Sequence, residues 1–257
     1  MPLSGRPLEA PVQIPHLLRA GLGQSPDNMA LVSTATRCTW RDLERASDNL
    51  AGNLLGLGLS PGDRVASLMP NRAALIIHYI ACMKSGLVSV PLNYRFTILE
   101  INRALVVSEA SVLLAHAERG RELAGSPAVR DLPHGLIFYD PQKERRPSFW
   151  DLIATPPARK ERPVPKASDP AFIFFTSGST GPAKGVTHSY ETVGWMLATG
   201  GNRSFRAISG GSGVQQLQFS MRPIGKPLIR RDFSALTARN CTQSTNTPDM
   251  ASAAVSA

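Results

Sequence analysis

The segment from Ala171 to Gly185 joins a short apolar run to a loop rich in glycine and hydroxyl groups. The apolar run, Ala171 to Phe175, carries no charge and predicts a buried β-strand. The ten residues that follow include four hydroxyl side chains, three glycines and one lysine. Glycines let backbone N–H groups approach phosphate oxygens, hydroxyls add donors, and a lysine adds positive charge. The segment therefore predicts a strand followed by a loop that binds a polyanion.

The spacing within this loop excludes the P-loop of nucleoside triphosphatases. That motif requires glycine, four residues, and then Gly-Lys-Ser/Thr. Counting from Gly178 leads instead to Ala183, Lys184 and Gly185, so the second glycine and the final hydroxyl residue are both missing. A flexible linker rich in serine and glycine is the remaining alternative, but such linkers do not usually follow an Ile-Phe-Phe strand.

Strand and helix patterns alternate before the loop. Short apolar runs predict strands at 64–69, 87–91, 111–115 and 135–139, with helices at 40–56, 72–85, 97–108, 118–124 and 148–154 between or after them. Thr39 with Asp42, and Thr97 with Glu100, have capping-box spacing, and Asn71 is a candidate cap for the helix at 72–85. No Asn-Gly type hairpin signal joins two strands. The pattern predicts an α/β fold with layered, mostly parallel sheets flanked by helices.

The loop resembles the phosphate-binding signature of the adenylate-forming enzymes, whose usual pattern is Thr-Ser-Gly-Ser/Thr-Thr-Gly-x-Pro-Lys-Gly. Here the proline, Pro182, lies one place early, while Lys184 keeps its distance from Gly178. The stretches GDRVASLMPN, MKSGLVSVPLNYR and SVLLA follow the order of the family's N-terminal part. The resemblance covers roughly residues 10–200, so we expect residues 1–201 to form the N-terminal part of an AMP-binding domain.

The resemblance implies both a reaction and a binding site. The reaction is the ATP-dependent activation of a carboxylic acid, expected to be a fatty acid, to an acyl-adenylate and then to a thioester of coenzyme A. ATP, Mg²⁺ and coenzyme A are the implied cofactors, and no residue is assigned to the metal or to a catalytic step. The loop would hold the triphosphate through hydroxyls, backbone N–H groups and one lysine, namely Thr176, Ser177, Gly178, Ser179, Thr180, Gly181 and Lys184.

The character of the sequence changes after residue 201. Residues 202–257 show no clear period and are rich in Ser, Arg, Gln and Asn. The elements that the family carries further on, for adenine, ribose and the assisting lysine, are not found. We expect an irregular, disordered basic tail and a truncated chain that is inactive by itself. A non-catalytic remnant or partner-binding fragment is the alternative, and the acid and the oligomeric state are not specified by the sequence.

Composition and charge bear on partners and location. The net charge of +9 is concentrated in residues 202–257, which hold seven basic and two acidic residues. The weakly basic remainder and the lack of interleaved aromatics argue against nucleic-acid binding. No apolar run is long enough to span a bilayer. Three widely separated cysteines, Cys38, Cys82 and Cys241, suggest no disulfide framework, and a cytoplasmic protein is expected.

Three further expectations concern individual segments. Residues 155–168, rich in proline and basic residues, are expected to form a solvated linker. Val186 and Thr187 are expected to extend the loop, with a helix from His188 to Thr199. His188 could lie near a nucleotide, although a lone histidine is more often structural. Trp40 is expected to be a core residue.

We predict that limited proteolysis cuts first in the tail, because it combines a lack of periodicity with most of the excess charge. Trypsin digestion followed by intact-mass analysis should yield a protected core that ends near Gly200. Equal protection of the tail and of the helix that starts at Trp40 would contradict the prediction.

Overall fold

The structure is a computed structural model that describes residues 11, 13–32, 36–139, 148–158, 162–176 and 183–204, with side chains described as far as Ala198. The strands are β1 Met29–Val32, β2 Arg37–Thr39, β3 Arg64–Leu68, β4 Val88–Pro91, β5 Ala110–His116, β6 Leu136–Tyr139, β7 Pro170–Thr176 and β8 Lys184–Ser189. The helices are α1 Arg19–Gln24, α2 Trp40–Gly56, α3 Ala73–Ser85, α4 Ile98–Ser108, α5 Gly120–Ala124, α6 Pro127–Arg130, α7 Phe149–Ala154 and α8 Tyr190–Ser204, with single 3-10 turns at Ile14–His16 and Ala117–Arg119.

Six strands form one mixed sheet in the order β6-β5-β3-β4-β7-β8. Strands β3 to β7 are parallel to their neighbours, and only β8 runs antiparallel, paired with β7. The predicted class, a mostly parallel sheet flanked by helices, is therefore confirmed. Strands β1 and β2 form a separate antiparallel pair.

A hairpin joins β7 and β8 although the sequence carries no Asn-Gly type hairpin signal. Strand β7 returns through the loop to β8, so Val186 and Thr187 are strand residues. His188 also lies in β8, and the last helix begins two residues later, at Tyr190. The sequence pattern did not predict strand β8, because four of its residues, from Lys184 to Thr187, are exposed and show no apolar alternation. Its strand conformation comes from pairing with β7, a contact that local sequence does not report.

Local capping signals fix the start of the long helices. Both predicted capping boxes are present: Thr39 with Asp42 at α2, and Thr97 with Glu100 at α4. The expected cap Asn71 is not used, since α3 begins at Ala73 with Arg72 in the cap position and no side-chain hydrogen bond there. The short helix α6 was not predicted, because its four residues are too few to show a period.

Two hydrophobic cores lie on the two faces of the sheet. Alternation along β3 illustrates the division, since Val65 and Met69 belong to one core and Ala66 and Leu68 to the other. The first core packs helices α2 and α3 and part of α8 against the sheet, and the second packs α4, α5 and α6. No helix among the described residues is long and apolar enough to cross a membrane.

Trp40 is a core residue, as predicted, with 7% of its surface exposed. Its indole ring lies directly against Gly21 of α1, where an added Cβ would come within 2.3 Å of the ring. Glycine at this position is therefore required by close packing.

The expected solvated linker is bound to helix α2 at one point. Arg162 Nη1 lies 2.6 Å from Asp48 Oδ1, and the ammonium of Lys84 lies 2.8 Å from the same oxygen and 2.6 Å from Glu44 Oε2. Burial tends to raise the pKa of Asp48, but hydrogen bonds from Arg162 and Lys84 outweigh it and leave that pKa below its usual value. The prediction of a purely solvated basic segment was wrong at Arg162, because a charge run does not reveal a partner more than a hundred residues away.

A buried histidine connects α3 to the centre of the sheet. His78 Nε2 lies 3.0 Å from Ser89 Oγ of β4, and its Nδ1 lies 3.6 Å from Cys82 Sγ. Burial lowers the pKa of His78 from 6.5 to about 3, so the ring is neutral in the folded protein.

This histidine predicts a loss of stability in acid. Below pH 6.5 the unfolded chain binds a proton at His78 that the folded chain does not bind. The free energy of unfolding therefore decreases as the pH is lowered from about 6.5 to about 3. Between pH 7 and pH 5 the loss should be about 2 kcal/mol. Urea unfolding at the two pH values should show this loss in the wild type and in the exposed-site control His16→Gln, and a smaller loss in His78→Gln. An equal pH dependence in all three proteins would contradict the prediction.

Candidate functional site

The β7–β8 hairpin brings the two ends of the glycine- and hydroxyl-rich loop together. Thr176, the last residue of β7, is paired directly with Lys184, the first residue of β8. Both residues are exposed. The other predicted site residues, Ser177, Gly178, Ser179, Thr180 and Gly181, lie outside the described residues. The structure thus places a hydroxyl and an ammonium-bearing side chain at the base of the loop.

Strand β7 is anchored at its start and exposed at its loop end. Phe172 is 3% exposed, and its ring packs edge-on against Tyr79 at 5.4 Å between centroids and stacks on Phe174 at 5.1 Å. Beyond Phe172 the residues are only half-buried, so the prediction of a buried strand over Ala171 to Phe175 holds for its first two residues. The rigid part of the strand therefore positions a tip that solvent can reach.

Gly185 is exposed, but its Cα lies close to side chains of β7. A Cβ added there would lie 3.1 Å from Ile173 Cγ2 and 3.5 Å from Phe175 Cζ. A larger residue would have to displace these side chains at the loop's base. Sequence reasoning placed Gly185 at the end of the loop motif but did not identify this packing requirement.

The far end of the hairpin is attached to α3. Tyr190 follows β8 directly, and its hydroxyl donates to the carbonyls of Cys82 and Met83 at 3.3 and 3.1 Å. Its backbone N–H donates to the carbonyl of Asp169, the residue before β7. Both strands of the hairpin are therefore tied to the body of the protein at the end opposite the loop.

The two ends of the loop, Thr176 and Lys184, lie at the edge of the sheet where the parallel strands end. Strands β3, β4 and β5 end at the same edge as β7, at Leu68, Pro91 and His116. In open α/β sheets this carboxyl edge is where ligands usually bind. The ends of the loop therefore lie at the edge where ligands usually bind, and the role of the loop in binding stays a prediction.

A second group of polar residues follows β4 and β5 at this edge. The Tyr94 hydroxyl donates to Glu118 Oε2 at 2.9 Å. The Arg119 guanidinium donates to the carbonyls of Tyr94 and Phe96 and lies 5.6 Å from the Tyr94 ring centroid. Burial, together with the bond to Glu118, raises the pKa of Tyr94. Sequence reasoning missed these contacts, and their position just after predicted strands was the one available signal.

His188 is a packed strand residue at a distance from the loop. Its ring lies 5.5 Å from that of Phe174, and it is four residues along β8 from Lys184, about 13 Å. The described residues contain no group of three or more His, Cys, Asp or Glu side chains that could hold a metal ion.

The chain is similar to one known protein family and to several individual proteins. The model of the AMP-binding enzyme family matches residues 18–215. A feruloyl-CoA synthase from Amycolatopsis is 34% identical over 171 residues, which is 66% of this chain and 32% of the relative. The long-chain-fatty-acid–CoA ligase FadD13 from Mycobacterium tuberculosis is 32% identical over 184 residues, 69% of this chain and 35% of the relative. The chain thus spans about a third of the length of these relatives.

Solved structures share the fold. A fatty acyl CoA synthetase from Mycobacterium tuberculosis has a TM-score of 0.58 at 28% identity, covering 69% of this chain and 34% of that one. ATP-bound MatB from Rhodopseudomonas palustris has a TM-score of 0.61 at 24% identity, covering 70% and 35%. At that identity MatB is informative about the fold only.

Proposed function

This chain belongs to the AMP-binding enzyme family, and on that premise we propose that its β7–β8 hairpin binds the triphosphate of ATP during the activation of a carboxylic acid. The observation that carries the proposal is the direct pairing of Thr176 with Lys184 at the base of the loop, at the carboxyl edge of the sheet. The pairing supports the proposal because it brings a hydroxyl and a cation together at the two ends of the loop that we propose to bind the polyanion.

Each loop residue has a proposed task. The Lys184 ammonium offsets phosphate charge, and the hydroxyls of Thr176, Ser177, Ser179 and Thr180 donate to the β- and γ-phosphate oxygens. Gly178 and Gly181 allow their backbone N–H groups to approach the same oxygens. A bound Mg²⁺ would neutralise further phosphate charge. Thr176 and Lys184 are compatible with such a ligand, since both are exposed.

The proposed chemistry has two steps. A carboxylate oxygen attacks the α-phosphorus of ATP, the bond to the bridging oxygen breaks, and pyrophosphate leaves with the electron pair. The loop stabilises the charge that develops on that leaving group. In the second step the thiol of coenzyme A loses its proton and attacks the acyl carbon, which releases AMP and forms the thioester.

We propose a fatty acid as the substrate. Support comes from FadD13 of Mycobacterium tuberculosis, described as a long-chain-fatty-acid–CoA ligase, at 32% identity. The feruloyl-CoA synthase of Amycolatopsis is similar to a comparable degree, so a substrate panel should set fatty acids of increasing length against ferulate.

Lys184→Ala should weaken ATP binding, because it removes a charge-assisted contact of about 1.5–3 kcal/mol. That loss corresponds to an increase in Kd of roughly tenfold to a hundredfold. Lys166→Ala is the matched control, since Lys166 is also exposed but lies before β7 in the linker. Isothermal titration with MgATP measures both variants, and equal effects would remove Lys184 from the site.

We also expect the 257-residue polypeptide by itself not to complete acyl-CoA synthesis. The first step needs the triphosphate, adenine and carboxylate held together, and losing the groups that orient them costs several kcal/mol of barrier. Only the triphosphate loop is recognised in this sequence. Acyl-CoA formation from ATP, coenzyme A and the acid panel at about 1 per second or faster would refute this expectation.

Pyrophosphate exchange on the same protein separates the two candidate functions. Acid-dependent exchange would show that the chain performs the first step. Absence of exchange together with ATP binding would favour the alternative of a non-catalytic, nucleotide-binding fragment.

A further inference from the structure

The joint between β4 and β7 is the narrowest joint in the six-stranded sheet. In the described part of the chain these two strands pair at a single position, Ser89 with Phe172. The neighbouring joint between β3 and β4 extends from Arg64 to Ser67 along β3, and the pairing of β7 with β8 extends from Pro170 to Thr176 along β7. The sheet therefore consists of a four-stranded block, β6-β5-β3-β4, and the β7–β8 pair, joined by one ladder position.

Helix α8 belongs structurally to the β7–β8 pair. The backbone N–H of Tyr190 donates to the carbonyl of Asp169 at 3.0 Å, and that of Glu191 donates to the carbonyl of Ala167 at 2.9 Å. These bonds connect the start of α8 to the residues that lead into β7. We call residues 167–176 and 184–204 the hairpin unit, since these backbone bonds link its three elements to one another.

The hairpin unit is less buried than the four-stranded block. Every residue of β5 is buried, whereas β7 has two buried residues, Ala171 and Phe172, and β8 has none. Segments with few buried side chains lie at the low end of local stability in a folded protein. The unit is held on α3 mainly by the Phe172 ring against Tyr79 and by the Tyr190 hydroxyl bond to the end of that helix.

We propose that the hairpin unit opens reversibly from the four-stranded block as one cooperative element, while the block itself stays folded. Opening at this joint breaks one ladder position, the Tyr190 bond and the packing of Phe172. It leaves the β7–β8 ladder and the parallel ladders of the block intact. The unit stays connected through residues 163–166 to Arg162, which its ion pair with Asp48 holds on α2.

The opening moves both ends of the loop together. Thr176 and Lys184 pair with each other inside the hairpin unit, so both leave the carboxyl edge of the block when the unit opens. One consequence rests on the proposed function: ATP that contacts both the loop and this edge binds the closed form, so bound ATP suppresses the opening. The opening itself does not depend on that function.

Native-state hydrogen exchange of the full chain without nucleotide, at urea concentrations below the unfolding transition, tests the opening. Amides of β7, β8 and α8 should exchange with one common, small dependence on urea. Amides of β3 and β5 should exchange more slowly and with the full urea dependence of global unfolding, because only that process exposes them. The same rate and urea dependence in the unit and the block would overturn the proposal.

Two conservative variants separate the opening from global unfolding. Ile137→Val alters β6, at the far edge of the block, where Ile137 is 3% exposed. It destabilises the closed and open forms equally relative to the unfolded chain, so exchange of β3 and β5 should accelerate roughly threefold to tenfold while exchange of the hairpin unit stays unchanged. Tyr190→Phe removes the hydroxyl bond to α3 and should accelerate exchange of the unit at least about threefold.

The variants also state what would contradict the proposal. Equal acceleration of the unit and the block by Ile137→Val would show that the unit does not open separately. Unchanged exchange of the unit in Tyr190→Phe would show that this hydroxyl does not hold it closed. Far-UV circular dichroism and urea unfolding confirm that both variants are folded.

MgATP tests the functional consequence by itself. At a concentration one hundred times the Kd measured by titration, exchange of the hairpin unit should slow about a hundredfold. Unchanged exchange with ATP bound would show that the open form retains the nucleotide, which would overturn the coupling. Failure to bind ATP in the titration would instead refute the proposed function, and the exchange without nucleotide decides the opening in either case.

Discussion

The attachment of β7 to β4 is the contact on which the candidate site depends. Phe172 of β7 pairs with Ser89 of β4, and this is where the loop hairpin joins the parallel part of the sheet. Ser89 in turn is bonded to His78, and Phe172 packs against Tyr79, so helix α3 supports both strands from one side. The two ends of the loop, Thr176 and Lys184, therefore take their position from a buried contact several residues away.

The elements predicted correctly are those specified by nearby residues. The capping boxes at Thr39 and Thr97 act over three residues, and strands β3 and β5 are mostly apolar and, apart from Arg64, buried on both faces. Such signals are complete within a short window, so the sequence is sufficient to locate them. The order of these elements in turn was sufficient to predict a mostly parallel sheet.

The features that sequence reasoning missed depend on distant partners. Strand β8 exists through its pairing with β7, and Arg162 is held by Asp48, which lies more than a hundred residues away in the chain. In the candidate site, the glycines and hydroxyls were predicted because their residue types suit phosphate binding, and that prediction is untested. The packing of Gly185 under Phe175 and the contacts of Arg119 could not be predicted, because they depend on how strands meet at the sheet edge.

The alternation of side chains along β7 directs neighbouring residues to opposite faces of the sheet at its carboxyl edge. Thr176 lies on the same side of the strand as Phe174 and the first core, and Lys184, paired directly with Thr176, projects to that side as well. Tyr94 and Phe175 each pack against the second core, on the other face of the sheet. The end of β7 therefore separates Thr176 and Lys184, on the face of the first core, from Phe175 and Tyr94, on the face of the second.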